Sequence, residues 1–423
     1  MMLKFILSLF YFDYADVNYA WSSSRLNRFK TPHLFVPANR IGLKKRFALF
    51  FYKFIRSARY LPNDFIFLFS FRKKTTFLKY YGSQNQKKSI EKLNVKYRTV
   101  SVSECLDSDT HFPLFFAYSL ALLLFPITFI FLFAKKETRR ALSYNADNYL
   151  LSIGSYIVWV VVLLKLNPSF VIMSNDHNVM NRSLLYACEL LKIKTIYVQH
   201  APAVKGFPKL RFNYALLEGK HASDTYESYD FCEIYYIGQS VKLRENLRQR
   251  KKTQLAVGVS TGISISINCY QTLINLMKDS ELEVVIRPHP ADPNKNFWRE
   301  FALNSGISFS DSQEENTLDF LNRLDALVSP MSGIFLESAT FNIQNICFNA
   351  GFKIPDWYNL TENNVCIEVD TVSEVINLIL ASDESNQIKE QIDAIKYYYF
   401  SDCFDFSERV KLAIDNIVDI NRM

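Results

Sequence analysis

Glu283–Pro290 reads EVVIRPHP, and Ala326–Ala339 reads ALVSPMSGIFLESA. In both, a short apolar run stops abruptly at polar residues. Pro288 and Pro290 cannot donate to a sheet, so the first run ends in a stiff turn that presents Arg287 and His289. The second run ends at Ser329, and Ser332-Gly333 opens a helical pattern. A strand leading straight into a helix is half of a βαβ unit, and ligands bind at the carboxyl ends of such strands.

Working outward, the same grammar repeats. Strand-like runs at Leu255–Val259, Asn345–Asn349 and Val365–Val369 join the two above, and helical stretches lie near 267–279, 296–304, 315–323, 333–341, 371–382 and 405–418. The first half reads similarly. Its expected strands are Leu3–Phe12, Leu34–Pro37, Phe65–Phe69, Tyr97–Val102, Phe170–Ser174, Thr195–Gln199, Tyr214–Leu217 and Glu233–Ile237. Alternating β and α segments imply parallel sheets with helices on both faces. The charged stretch Arg244–Thr253 divides the chain into an expected N-terminal domain, 1–243, and a C-terminal domain, 254–423. Two doubly wound domains would face each other across a cleft.

The 423 residues are 49% hydrophobic and 22% charged, which excludes a disordered chain. Gly and Pro, 11 and 13 residues, are too scarce for a collagen-like or low-complexity architecture. Seven scattered Cys form no CxxC and no Cys/His cluster, so neither a disulfide framework nor a zinc site is signalled. Residues 1–110 carry 20 Lys and Arg against 7 Asp and Glu, a balance of +13 in a chain whose net charge is +7. This basic segment fits an anionic membrane surface or acceptor, or a solvated basic face. No nucleic-acid-binding motif accompanies it.

Phe112–Ala134 is uncharged and long enough to cross ~30 Å of hydrocarbon, but Pro126 interrupts it. Tyr149–Leu166 is a second apolar stretch. Together, 112–166 read as an apolar helical insertion. It is a membrane span, a monotopic hairpin in one leaflet, or buried helices. A full span would separate strands that must share one compartment.

Chemistry gathers at strand ends. Arg287 offers a planar fork of donors suited to phosphate, and His289 adds another. Exposed N–H groups at Ser332-Gly333 bind an anion or are capped by Ser332. Glu337 lies one turn on, placed to accept from ribose hydroxyls. Ser260 and Thr261 end the strand that opens the second half. In the first half, Asp13 and Asp16, Asp176 and His177, His200, and Glu218 follow apolar runs and form candidate polar rims. A carboxylate or imidazole there could take a proton from an acceptor hydroxyl. HExxH and GxGxxG are missing, so the metal and nicotinamide sites that those two motifs mark are unsupported.

The Gln199-His200 turn, the Arg287-Pro-His289-Pro turn and the Ser329-x-x-Ser332-Gly333-x-x-x-Glu337-Ser338 helix start resemble GT-B glycosyltransferases of bacterial surface-polysaccharide synthesis. The likeness is to capsule Kdo and sialic-acid transferases and to CDP-glycerol glycerophosphotransferases. It implies a GT-B fold and metal-independent, inverting transfer from a nucleotide-activated donor, CMP-linked by preference. It also implies a lipid-linked glycan acceptor at the cytoplasmic face of the inner membrane. Nucleotide contacts would come from Arg287, His289, Ser260, Thr261, Ser329, Ser332, Gly333 and Glu337. The base would be His200, Asp13 or Asp176, and Asp16, His177 and Glu218 would lie on the acceptor side. The same stretch also resembles UDP-N-acetylglucosamine 2-epimerases. A non-catalytic nucleotide- or glycan-binding partner is the third reading.

Overall fold

The computed structural model describes residues 2–11, 42–69, 74–104, 107–134, 136–175, 178–204, 209–226, 230–239, 254–262, 265–350, 352, 354–381, 384–400 and 405–421. Asp13, Asp16, Asp176, His177, the run at Leu34–Pro37 and the stretch Arg244–Thr253 lie outside them.

The first half begins with helices α1 (Met2–Tyr11), α2 (Leu43–Ser57) and α3 (Leu61–Phe69). Then come β1 (Phe77–Tyr80), α4 (Gln84–Glu91), β2 (Thr99–Ser103) and β3 (Thr110–His111). Three helices follow, α5 (Leu114–Leu123), α6 (Phe125–Ala134) and α7 (Lys136–Leu166). They lead to β4 (Phe170–Met173), α8 (Val179–Leu191), β5 (Lys194–Val198), β6 (Tyr214–Leu217), α9 (Lys220–Thr225) and β7 (Glu233–Tyr236). The second half runs β8 (Ala256–Thr261), α10 (Ile267–Asp279), β9 (Glu283–Pro288), α11 (Lys295–Ser305), β10 (Ser308–Phe309) and α12 (Thr317–Asn322). It continues with β11 (Ala326–Ser329), α13 (Ile334–Ala339), β12 (Gln344–Phe348) and β13 (Ile367–Val369). Helices α14 (Val372–Leu380), α15 (Glu384–Tyr398) and α16 (Phe406–Ile420) close the chain.

Each half builds one parallel sheet, β3-β2-β1-β4-β5-β6-β7 in the first and β10-β9-β8-β11-β12-β13 in the second. Taken from its own first strand, each follows the doubly wound order 3-2-1-4-5-6, so the order reverses between β1 and β4 and between β8 and β11. Side chains alternate across each sheet as the strand period requires. In the first, Leu78, Tyr80, Val171 and Met173 face the α5–α8 side, while Phe77, Phe170 and Ile172 face α16. In the second, Val257, Val259, Val284 and Ile286 meet α10 and α11, and Val285, Leu327 and Cys347 meet α12, α13 and α15.

Three expectations change. Met2–Tyr11 and Leu61–Phe69 are helices, not strands, because a short run that is apolar all round carries no period to separate the two. In α1, Phe5 stacks on Tyr156 and Ser8 shares a 2.6 Å hydrogen bond with the Tyr156 hydroxyl. Strand β1 went unforeseen, since Lys79 breaks its apolar pattern. Finally, α16 groups with the first compact unit rather than with a 254–423 domain. Val410, Ala413, Ile414, Ile417 and Val418 of α16 fill the core over Phe77 and Ile172, and Tyr97 donates to Asp415 at 2.9 Å. The second unit comprises 219–221 and 238–403.

The apolar stretch near 112–166 resolves into α5, α6 and most of α7. Ala146–Leu166 is the one described helix long and apolar enough to cross a membrane by itself, and 78% of its most apolar window is buried inside the protein. Gly154 lets this helix touch α5: a Cβ there would stand 1.9 Å from the Ala117 carbonyl oxygen. Helices α5 and α6 meet at a 69° bend.

Candidate functional site

In the second unit, the reversal of strand order places the ends of β8 and β11 side by side. Gly262, just past β8, would put a Cβ 3.0 Å from Pro330, just past β11. The rim of this crevice carries Ser260, Thr261, Ser329 and the loop 330–333.

Ser329 is buried, and its hydroxyl has no hydrogen-bond partner among the described residues. An orphaned buried hydroxyl costs about 1–3 kcal/mol unless a ligand or water satisfies it. Beyond it, Asn349 accepts from the Met331 N–H at 3.0 Å and donates to Glu368 at 2.7 Å, which fixes the loop. The N–H groups of Ser332 and Gly333 donate to no acceptor among the described residues. The Ser332 hydroxyl accepts only a long, 3.5 Å bond from Ile334. A Cβ on Gly333 would find its nearest neighbour, Tyr358, at 3.9 Å, so the backbone there is open to a ligand. Helix α13 is only six residues long and contributes little dipole, so these local donors matter more than the helix. Glu337 is exposed on it.

His289 adjoins the same rim. Its N–H donates to the Thr261 carbonyl at 2.9 Å, and its ring Nδ1 accepts from Ala291 N–H at 3.1 Å. With Nδ1 used as an acceptor, the neutral ring carries its proton on Nε2. The ring is exposed and offers that donor outward. Thr261 donates to Asp292 at 2.7 Å, and Asp292 also accepts from Asn294 N–H at 2.8 Å, so the post-β9 turn is bolted to β8.

Arg287 departs from the free phosphate fork that the sequence suggests. Its guanidinium donates to the Ser310 hydroxyl at 2.5 Å and to the Glu315 carbonyl at 3.1 Å, and it lies over the Phe320 ring at 4.9 Å. Burial lowers its pKa, while the charge of Glu315 opposes that shift. It organises the 310–316 loop beside the rim. Gly258 likewise serves packing: a Cβ there would meet Leu324 at 2.4 Å. Sequence reading missed Asn349, Asp292, Ser310 and Glu315, whose role of holding other groups leaves no local motif.

The first unit has a matching rim. Ser174, immediately after β4, is buried with its hydroxyl unpartnered among the described residues, the counterpart of Ser329 after β11. Across the reversal, Tyr81-Gly82-Ser83 leads from β1 into α4. There Gly82 donates to Gln86 at 2.8 Å and Ser83 caps the helix. Asn178 caps α8 through Asn181 N–H at 2.9 Å. Gln199 is a brace, accepting from Glu218 N–H at 2.8 Å and donating to the Ala201 carbonyl at 3.1 Å. His200 follows it at the end of β5, half-buried.

Two acids, one half-buried and one buried, lie towards the β2–β3 side. Tyr80 donates to Glu104, whose pKa burial raises against that hydrogen bond and the charge of Lys53. Lys53 and Arg46 of α2 bind Asp147 of α7 at 2.6 and 3.2 Å. Asp64 of α3 is fully buried, accepts from Phe116 N–H at 3.2 Å at the start of α5, and is pushed up to about 6 by burial. His111 lies 3.9 Å from it and is pushed down by burial.

No protein-family model matches the chain, and no curated protein matches it in sequence. Solved structures do match its fold. A Listeria monocytogenes protein assigned as a UDP-N-acetylglucosamine 2-epimerase aligns at TM-score 0.52 and 11% identity, over 82% of this chain and 97% of its own. The Neisseria meningitidis UDP-GlcNAc 2-epimerase, solved with UDP-GlcNAc bound, aligns at TM-score 0.50 and 12% identity, over 81% and 100%. The wall teichoic acid polymerase TagF aligns over 89% and 98% at 11% identity, but its TM-score of 0.48 carries no weight. At such identities the likeness speaks for architecture alone. With two doubly wound α/β units, the chain has the GT-B fold.

Proposed function

We propose that the protein is a metal-independent, inverting glycosyltransferase that uses a nucleotide-activated sugar, CMP-linked by preference, and a lipid-linked glycan acceptor. The observation that carries this reading is the β8–β11 rim of the second unit. There the buried Ser329 hydroxyl, the open N–H groups of Ser332 and Gly333 and the outward Nε2–H of His289 are all donors awaiting an acceptor-rich ligand. A nucleotide diphosphate or monophosphate is such a ligand. Glu337 is proposed to accept from the ribose, Ser260 to line the rim, and Thr261 and Arg287 to hold the loops that shape it.

In the transfer, the acceptor hydroxyl attacks the anomeric carbon and the bond from that carbon to the phosphate oxygen breaks. The hydroxyl proton passes to a base, His200 in this proposal, with Asp13 or Asp176 as the other candidates. The leaving phosphate keeps the bonding electrons, and His289 and the loop N–H groups stabilise its charge. Asp16, His177 and Glu218 are proposed on the acceptor side, and the enzyme is proposed to work from the cytoplasmic surface of the inner membrane.

The 2-epimerase reading also stands, because three structural matches at TM-scores of 0.50 to 0.52 carry that name. Thermal shift with CMP, CDP, UDP and GDP tests the nucleotide site, since a ligand that binds only the folded state raises its stability. A shift with CMP that Ser329→Ala and His289→Ala weaken supports the transferase. Conversion of UDP-GlcNAc to its 2-epimer with no acceptor present supports the epimerase. No shift with any nucleotide overturns both.

A further inference from the structure

Among the described residues, the first unit leaves large apolar side chains uncovered on α2, α3, α5 and α6. Helix α3 exposes Phe65, Ile66, Leu68 and Phe69 in one arc, with Ile66 68% and Phe69 82% exposed, while Asp64 and Phe67 turn inward. Helix α2 exposes Phe51, Tyr52 and Ile55 on one stripe. Leu123 at the end of α5, and Ile127 and Ile130 of α6, are exposed around the 69° bend.

Charge accompanies this surface. Residues 43–69 hold six cations, Lys44, Lys45, Arg46, Lys53, Arg56 and Arg59, and one acid, Asp64, which is fully buried. Arg46 and Lys53 are paired with Asp147 inside the unit. Lys44, Lys45, Arg56 and Arg59 remain exposed beside the apolar stripe. The backbone here is also prepared for an apolar medium. Lys165 donates to the carbonyls of Phe67 and Leu68, which the end of α3 would otherwise leave open.

An apolar slot of about 300 Å³ opens within this surface, lined by Phe67, Leu68, Phe116, Leu120, Leu123 and Val161. Ser119, the one hydroxyl on its wall, is spent on the Phe115 carbonyl at 2.9 Å. The slot asks nothing polar of its occupant.

We propose that this face seats on an anionic lipid bilayer, with Lys44, Lys45, Arg56 and Arg59 on the headgroups, the exposed side chains of α2 and α3 in the interface, and one acyl chain in the slot. Most of the apolar part of helix α7, though long enough for a span, is core; the docking elements are the short helices around it. The inference gives the lipid-linked acceptor of the proposed function a surface to be reached from. Its test uses no nucleotide, so the two readings fail separately.

The full chain is sedimented with vesicles of phosphatidylcholine alone and of phosphatidylcholine mixed with phosphatidylglycerol. The expected result is partition onto the anionic vesicles that weakens with salt and is at least about tenfold lower on phosphatidylcholine. Ile66→Ser/Phe69→Ser and Lys44→Glu/Lys45→Glu/Arg56→Glu/Arg59→Glu are each expected to lose about tenfold or more. Their melting temperatures should stay at the parent value, because these side chains are exposed. Leu120→Trp fills the slot and is expected to weaken partition a few-fold while keeping its dependence on phosphatidylglycerol. Wild-type protein left in the supernatant with both vesicles overturns the proposal, as does equal sedimentation of all variants. A lipid-free oligomer that Ile66→Ser/Phe69→Ser converts to monomer, with vesicle binding unchanged, assigns the face to a second copy and also overturns it. Leu120→Trp indistinguishable from wild type removes the acyl-chain slot.

Discussion

The two units share a strand order and little else. In the second, the sheet is covered by mostly short helices, and the loops after β8, β9 and β11 are braced by Asp292, Asn349 and Ser310, which leaves a few donors open at the rim. In the first, the β3-to-β4 connection is α5, α6 and the 31-residue α7, and polar groups retreat inside as Asp64 and Asp147. One topology thus supports two kinds of surface. Parallel sheets need only that helices cover both faces, so the length and polarity of those helices are free to follow function.

The sharpest way to break this contrast is at the glycines. Gly154 faces backbone, with the Ala117 carbonyl carbon 2.9 Å from its would-be Cβ and the oxygen closer still. Gly154→Ala must push α7 off α5 and is expected to cost about 4 kcal/mol or more in chemical denaturation. Gly258 faces the ends of the Leu324 and Phe320 side chains, which can shift. Gly258→Ala is expected to cost about 2 kcal/mol. Equal losses would mean that the first unit is no more rigidly packed than the second.

Asp64 comes next. Its folded pKa of about 6 lies above the ordinary value of 3.8, so folding takes up a proton in that interval. Its favourable contribution is complete below pH ~4 and is lost as the pH rises through 6, a change on the order of 3 kcal/mol. Asp64→Asn should flatten this part of a stability–pH curve. His111 acts oppositely: burial lowers its pKa, so its contribution is lost as the pH falls through its titration. A curve for Asp64→Asn that matches wild type between pH 4 and 7 would show that water reaches Asp64.

At the second unit's rim, His289→Ala is expected to cut turnover about 100-fold with little change in melting temperature, since an exposed donor acts mainly on developing charge. Full activity would remove His289 from the site. The smallest effect is expected from Thr261→Val, which leaves Asp292 short of one hydrogen bond. It should cost about 1–2 kcal/mol of stability and loosen nucleotide binding a few-fold by freeing the post-β9 turn. Loss of binding without loss of stability would place Thr261 on the ligand instead.

Much of the second unit was legible in the chain. Ala326–Ser329 is a strand with the expected bounds, α10 spans 267–279 as read, and the turns after β9 and β11 stand at strand ends. Fully buried parallel strands are continuous apolar runs bounded by turn residues, and that pattern survives in one dimension. The first unit was harder. Phe65–Phe69 is apolar enough for a strand, yet Asp64 capping α5 and Lys165 closing the end of α3 make it a helix. Those partners lie far away in sequence.

By itself the sequence determined the class of architecture, the polar turns that end the apolar runs at Arg287 and Ser329 and the concentration of positive charge in the first 110 residues, because each is written in neighbouring residues. Only the tertiary structure decided that Arg287 braces a loop, that Ser329 and Ser174 are buried without partners among the described residues, that α16 returns to the first sheet, and that α7 is core while α2 and α3 are surface. Each of these depends on what a side chain meets after folding. Burial, pairing and exposure are properties of contacts between distant segments, and composition cannot assign them.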